Sequence, residues 1–115
     1  MSVNVRQALA DGANTVAGIN VHPYYRQGGK TGHGNVVLAR VDYPNIFGGI
    51  GQWEVIVLLP VDVESAQKKA DELIPLLYAA LSEVMAVDSV TFGTTSQDNR
   101  SGQPCLIAAG HREME

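Results

Sequence analysis

The chain has a single cysteine, Cys105, among its 115 residues. One thiol excludes an internal disulfide and any cysteine-based zinc cluster. Cys105 opens the apolar run Cys105-Leu106-Ile107-Ala108-Ala109 and reads as a buried small hydrophobe. Charge is also scarce: 17% of residues are charged, against about 25% in ordinary soluble domains. A small domain has much surface for its volume, so few charges leave much of that surface neutral, as in the cores of protein interfaces. No basic block exists, which disfavours sequence-directed capture of nucleic-acid phosphates. No window approaches the ~18 consecutive apolar residues of a membrane span. The stretch Met1–Asp11 lacks the hydrophobic core of a secretion signal. The expectation is a protein made in the cytoplasm, with no membrane partner.

What is present suits one compact domain spanning residues 1–115. At this length roughly 65% of the unfolded chain's surface can be buried, enough for a core without staples. Net charge is −4 and unevenly spread: residues 1–50 carry four basic and two acidic side chains, residues 51–115 four basic and ten acidic. An acidic surface of this kind can line a path along which DNA slides without sticking.

Hydrophobic spacing predicts the order α-β-β-β-α-β-β, an α+β fold with two helices packed on a mixed, mainly antiparallel sheet. Val5, Leu9, Ala13 and Val16 form one stripe of a first helix from Ser2 to about Val16, followed by Gly18. Asn20–Tyr25, broken by Pro23, suits an edge strand. Arg26–Gly34 is too rich in glycine for a strand and reads as a loop. In the strand Asn35–Tyr43, alternation puts Val37, Ala39, Val41 and Tyr43 on one face. Val36 and Leu38 share the other face with Arg40 and Asp42. Pro44–Gly51 reads as a turn closing a long hairpin. Gln52–Leu59 is apolar on both faces, which places it centrally and suits cover on each side.

Asp62 is a good N-cap for a second helix reaching about Met85, with Glu64 in the first turn, where the helix dipole favours an anion. Ala66, Ala70, Leu73, Leu77, Ala80, Leu81 and Val84 make its apolar stripe, and Pro75 should kink it. Val87–Thr94 and Pro104–His111 are the last strands, on either side of the polar loop Thr95–Gly102.

Few residues assemble into a chemical motif. Gly29-Lys30-Thr31 has the end of a phosphate-binding loop, but Tyr24 stands where the first glycine belongs and a strand follows where a helix is needed. Gly49-Ile50-Gly51 lacks the third glycine of a dinucleotide fingerprint. His22, His33 and His111 are remote from one another, without metal-ligand spacing. His111 and Glu113 alternate near a strand end, where a solvated surface pair is favoured over an acid/base couple. No serine occupies a nucleophile elbow. Neither a catalytic set nor a cofactor or metal site is expected. Tyr24, Tyr25, Tyr43, Phe47 and Trp53 cluster in the first half beside glycine-rich turns, where amphipathic rings serve as interface anchors. Trp53 is assigned to the core.

Several runs together resemble tail terminator proteins of long-tailed phages that infect actinobacteria. They are the Val3–Ala10 helix, Pro23-Tyr24-Tyr25-Arg26-Gln27, Asp42-Tyr43-Pro44-Asn45-Ile46-Phe47-Gly48-Gly49 and the closing Gly110-His111-Arg112-Glu113. The likeness covers nearly the whole chain, and the last two runs are its most specific parts. It implies a structural virion protein, assembled in the host cytoplasm, that forms a hexameric ring capping the tail tube. The implied partners are copies of itself, the tail tube protein and a head-side neck or stopper protein. DNA would pass through the channel without sequence-specific binding. The residues assigned to protein interfaces are Tyr25, Arg26, Lys30, Tyr43, Asn45, Phe47, His111 and Arg112. Two other readings stand beside this one. The chain could be a different neck protein, such as a head-closure or connector-adaptor subunit. It could instead be a small oligomeric enzyme or ligand-binding domain, which a pocket uniting a histidine with carboxylates would favour.

Overall fold

The computed structural model describes residues 5–24, 32–45, 48–60, 62–95 and 103–113. They form α1 (Val5–Ala13), β1 (Asn20–His22), β2 (His33–Asn45), β3 (Gly48–Leu58), α2 (Val63–Leu81), β4 (Ala86–Thr95) and β5 (Gln103–Glu113). This is the expected α+β order. The strands make one sheet in the order β1-β2-β3-β5-β4. β1 runs parallel to β2, and every other neighbouring pair is antiparallel.

β3 is central, as its apolar alternation requires. Trp53, Val55, Val57 and, just past the strand, Leu59 are buried with Leu106 and Ala108 of β5. Against them lie Leu9, Ala10 and Ala13 of α1 and Ala66, Ala70, Leu73, Leu77 and Leu81 of α2, in one core cluster. Both described helices therefore pack on the same face of the sheet. The opposite face, carrying Val37, Ile56, Leu58 and Ile107, is half-buried with no described helix over it. Cover on both sides of β3 is thus not provided by the described helices.

The first strands depart most from the sequence reading. β2 starts at His33, inside the stretch read as a loop, and continues to Asn45; β3 already begins at Gly48. The supposed turn Pro44–Gly51 is mostly strand, and only residues 46–47 connect the hairpin. Pro44 is tolerated because β1 covers β2 only at His33, Gly34 and Asn35. Farther along, β2 is an edge strand, and Pro44 falls in the register shift between Asp42 and Asn45; edges and bulges are where sheets admit proline. The face assignment also changes. Leu38 pairs with Trp53 but Arg40 pairs with Gln52, so Ala39 is an extra residue in the ladder. Such a bulge exchanges the faces of everything beyond it. Val37 therefore lies on the outer face and Val41 on the helix-covered side, although strict alternation puts them together.

The helix ends are shorter than the apolar stripes suggest. α1 stops at Ala13, because the side chain of Asn14 is committed to β1: its Nδ2 donates to the Val21 carbonyl (3.1 Å) and its Oδ1 accepts from the Val21 N–H (2.6 Å). α2 runs as one element through Pro75 and ends at Leu81, where the Ser82 N–H and hydroxyl both donate to the Tyr78 carbonyl. Its start is as expected. The Asp62 carboxylate accepts from the Ser65 N–H at 3.0 Å, which holds its pKa below the usual carboxylate value.

A folded-state pKa below the unfolded one stabilises the fold above the unfolded value, near 3.9 for an aspartate, and less as pH falls through the folded value. Asp62→Asn should therefore keep most of the cap while losing this acid sensitivity. Urea titrations at neutral pH and near pH 3 should show a smaller pH difference for the variant than for the wild type; equal differences would contradict the assignment.

Candidate interaction surfaces

The sequence from Leu73 to Ser82 contains no charged residue. A helix that is apolar on all sides is one that expects neighbours on all sides. Its inward side, Leu73, Leu77 and Leu81, fills the core. Its outward side presents Pro75, Leu76, Tyr78 and Ala79, all exposed; Leu76 retains 48% and Tyr78 55% of its surface. Ordinary amphipathic helices carry charge there. On the other side of this two-layer domain lies the half-buried outer sheet face with Val37, Ile56 and Ile107. The two surfaces lie on opposite sides, and the sheet face also carries Arg40, Asp42 and Glu54.

The expected interface residues fall into three groups. Tyr25, Arg26, Lys30 and Phe47 lie outside the described residues. Tyr43 is 73% exposed on the hairpin, and Asn45 is the last residue of β2, opposite Gly48. His111 and Arg112 are half-buried near the end of β5 and engaged within the chain. The His111 Nδ1 lies 3.1 Å from the Asp88 carboxylate, so the histidine meets Asp88 of β4 there; the Glu113 side chain lies outside the described residues. The Arg112 Nη1 donates to the Val84 carbonyl at 3.1 Å, tying β5 to the link between α2 and β4.

The remaining polar groups are dispersed. His22 and His33 come together with ring centroids 5.8 Å apart, but among the described residues no three potential metal ligands cluster. Arg40, Asp42 and Gln52 share the outer face beyond the bulge, with the Arg40 Nε and the Gln52 amide each 3.2 Å from the Asp42 carboxylate. A depression of about 210 Å³ beside them is lined by Ala39, Arg40, Gln52, Trp53, Glu54, Ala109 and Gly110. It has no histidine in its lining. Burial pushes the Cys105 thiol up, away from the thiolate that nucleophilic chemistry needs.

Two residues that sequence reasoning passed over organise the β1 end. Arg6 of α1 donates from Nη1 to the carbonyls of Pro23 (3.1 Å) and Val36 (2.9 Å). Its guanidinium lies 4.7 Å from the Tyr24 ring centroid and 5.6 Å from that of Trp53. Asn14 closes both backbone groups of Val21. The one signal in the sequence is that Arg6 precedes Leu9 and Ala13 by helical spacing, at the flank of the buried stripe.

No helix among the described residues is long and apolar enough to cross a membrane. No protein-family model matches the chain, and no curated protein shows a significant match to it.

Proposed function

We propose that this chain is a structural subunit that assembles with copies of itself into a ring, and that the ring caps a phage tail tube. The sequence runs that resemble tail terminators support the identity of the ring. The observation that carries the assembly reading is the outward side of the charge-free second half of α2, from Leu73 on, with Leu76 and Tyr78 exposed. A ring needs a heterologous contact, in which two different patches of each subunit meet and the rotation closes. The outward side of α2 and the outer sheet face are two such patches. The head-side neck protein and the tube then meet the ring's two ends, and DNA crosses its channel.

The experiment is electron microscopy and native mass spectrometry of the purified protein, alone and with tail tubes. Closed rings on tube ends, and tails of uncontrolled length when the protein is withheld, are the expected results. Leu76→Lys with Tyr78→Lys should abolish rings while leaving the circular dichroism spectrum and melting temperature nearly unchanged, because exposed positions tolerate substitution. Rings that persist in this double variant would remove α2 from the interface.

A further inference from the structure

The sheet has two open sides, and they are defended very differently. On the first, β1 is only Asn20–His22, and its outward-facing residue is Val21: the Asn20 N–H points toward β2, donating to the Gly32 carbonyl. Both Val21 groups are taken by Asn14, and the next outward carbonyl, on Val36, is taken by Arg6. The rest of that side, along β2, carries the bulge at Ala39, the Arg40–Asp42 pair and Pro44. Bulges, charges and proline are the devices that keep sheet edges from pairing.

On the second side, β4 has none of these beyond its start. Its sole charge is Asp88, which sits at the register shift between Val87 and Ser89 and is held by His111. From Ser89 to Thr95 the sequence is Ser-Val-Thr-Phe-Gly-Thr-Thr, without charge or proline and rich in β-formers. That run is paired to β5 in regular register on one side, and no described element pairs with it on the other. Phe92, in its middle, is 41% exposed.

We infer that the Ser89–Thr95 edge of β4 pairs antiparallel with the same edge of a second copy. The opposite side of the sheet is closed by Asn14 and Arg6 and guarded farther along, so a copy can offer only its own β4. Antiparallel pairing sends the two Asp88 carboxylates to opposite ends, where they do not face each other. It also brings the exposed Phe92 rings to the middle of one face, where cross-strand aromatic pairs stabilise sheets. A contact between like edges is isologous, whereas a simple six-fold ring contains only heterologous ones. The pair is therefore not a contact within a simple six-fold ring, and it does not rest on the ring reading.

Sedimentation equilibrium over a wide concentration range tests this, with amide exchange as a second readout. The wild type should show a monomer–dimer equilibrium, with Ser89–Thr95 amides protected more strongly at high concentration. Thr91→Lys with Thr94→Lys, both at exposed positions, should weaken the dimer at least about tenfold by setting like charges across the junction. Leu76→Lys, which acts on the ring contact, should leave the dimer unchanged. A protein monomeric at every concentration, or dimers indifferent to the two lysines, would overturn the inference. So would protection of Ser89–Thr95 only after tail tube protein is added, since that assigns the edge to a different strand.

Discussion

Replacing Gly34 with alanine should lower the melting temperature by more than ~10 °C. Gly34 lies between Val21 of β1 and Val57 of β3. A Cβ there would overlap the Ile56 carbonyl and stand 3.1 Å from the Val57 Cα. Those are backbone atoms of the central strand, which cannot move aside as a side-chain tip can. Relief requires the β2–β3 ladder to separate at the point where β1 joins, so the loss should reach about 3 kcal/mol or more. Total stability for a domain of this size is only about 5–15 kcal/mol. Gly18→Ala is the internal comparison. Gly18 has φ +84°, and an added methyl would meet no atom within 4 Å, so only the left-handed conformation opposes alanine, at about 1–2 kcal/mol. Thermal melts of the two variants should differ clearly; equal melts would show that the sheet gives way at Gly34.

Arg6→Ala should destabilise the fold by about 2–4 kcal/mol. Hydrogen bonds from a charged donor are each worth about 1.5–3 kcal/mol, and Arg6 makes two, to carbonyls on segments far apart in sequence. Stacking on Tyr24 and Trp53 adds roughly 0.5–1 kcal/mol, and shared geometry makes the sum less than additive. Arg6→Lys should recover under half of the loss, because an ammonium lacks the planar guanidinium that can stack and donate together. Trp53 is the single tryptophan, so its emission reports directly on the site. Its buried indole N–H has no acceptor among the described residues, and the Arg6 guanidinium lies 5.6 Å from its ring centroid. The emission spectrum should shift in both variants while still folded. An unchanged spectrum with unchanged urea midpoint would place Arg6 outside the fold's framework.

How much of this was legible in the residues depends on the range of the interaction. The stripe Ala66–Leu81 and the Asp62 cap are local signals, and α2 begins where they say. Trp53, Val55 and Val57 alternate in a strand paired on both sides, so the central position of β3 could be read directly. What could not be read is set by contacts distant in sequence. Asn14 ends α1 because of Val21, and Arg6 is fixed by Pro23 and Val36. The glycines at 32, 34, 48 and 49 suggest loops by composition; pairing to β1 and to the rest of the hairpin makes most of them strand. The charge-free stretch Leu73–Ser82 is a feature of the sequence, yet which of its residues face outward is a property of packing.

The extra residue at Ala39 divides the hairpin into two compartments that answer to different pressures. On the near side, Val36 of β2 and Trp53, Val55 and Val57 of β3 belong to the cluster beneath the helices, with Leu38 packed against it. On the far side, none of the described side chains from Arg40 to Tyr43 and from Gly48 to Gly51 belongs to the hydrophobic cluster. Sequence drift there leaves the core untouched, and natural selection can reshape that tip for new neighbours while the body of the domain stays the same.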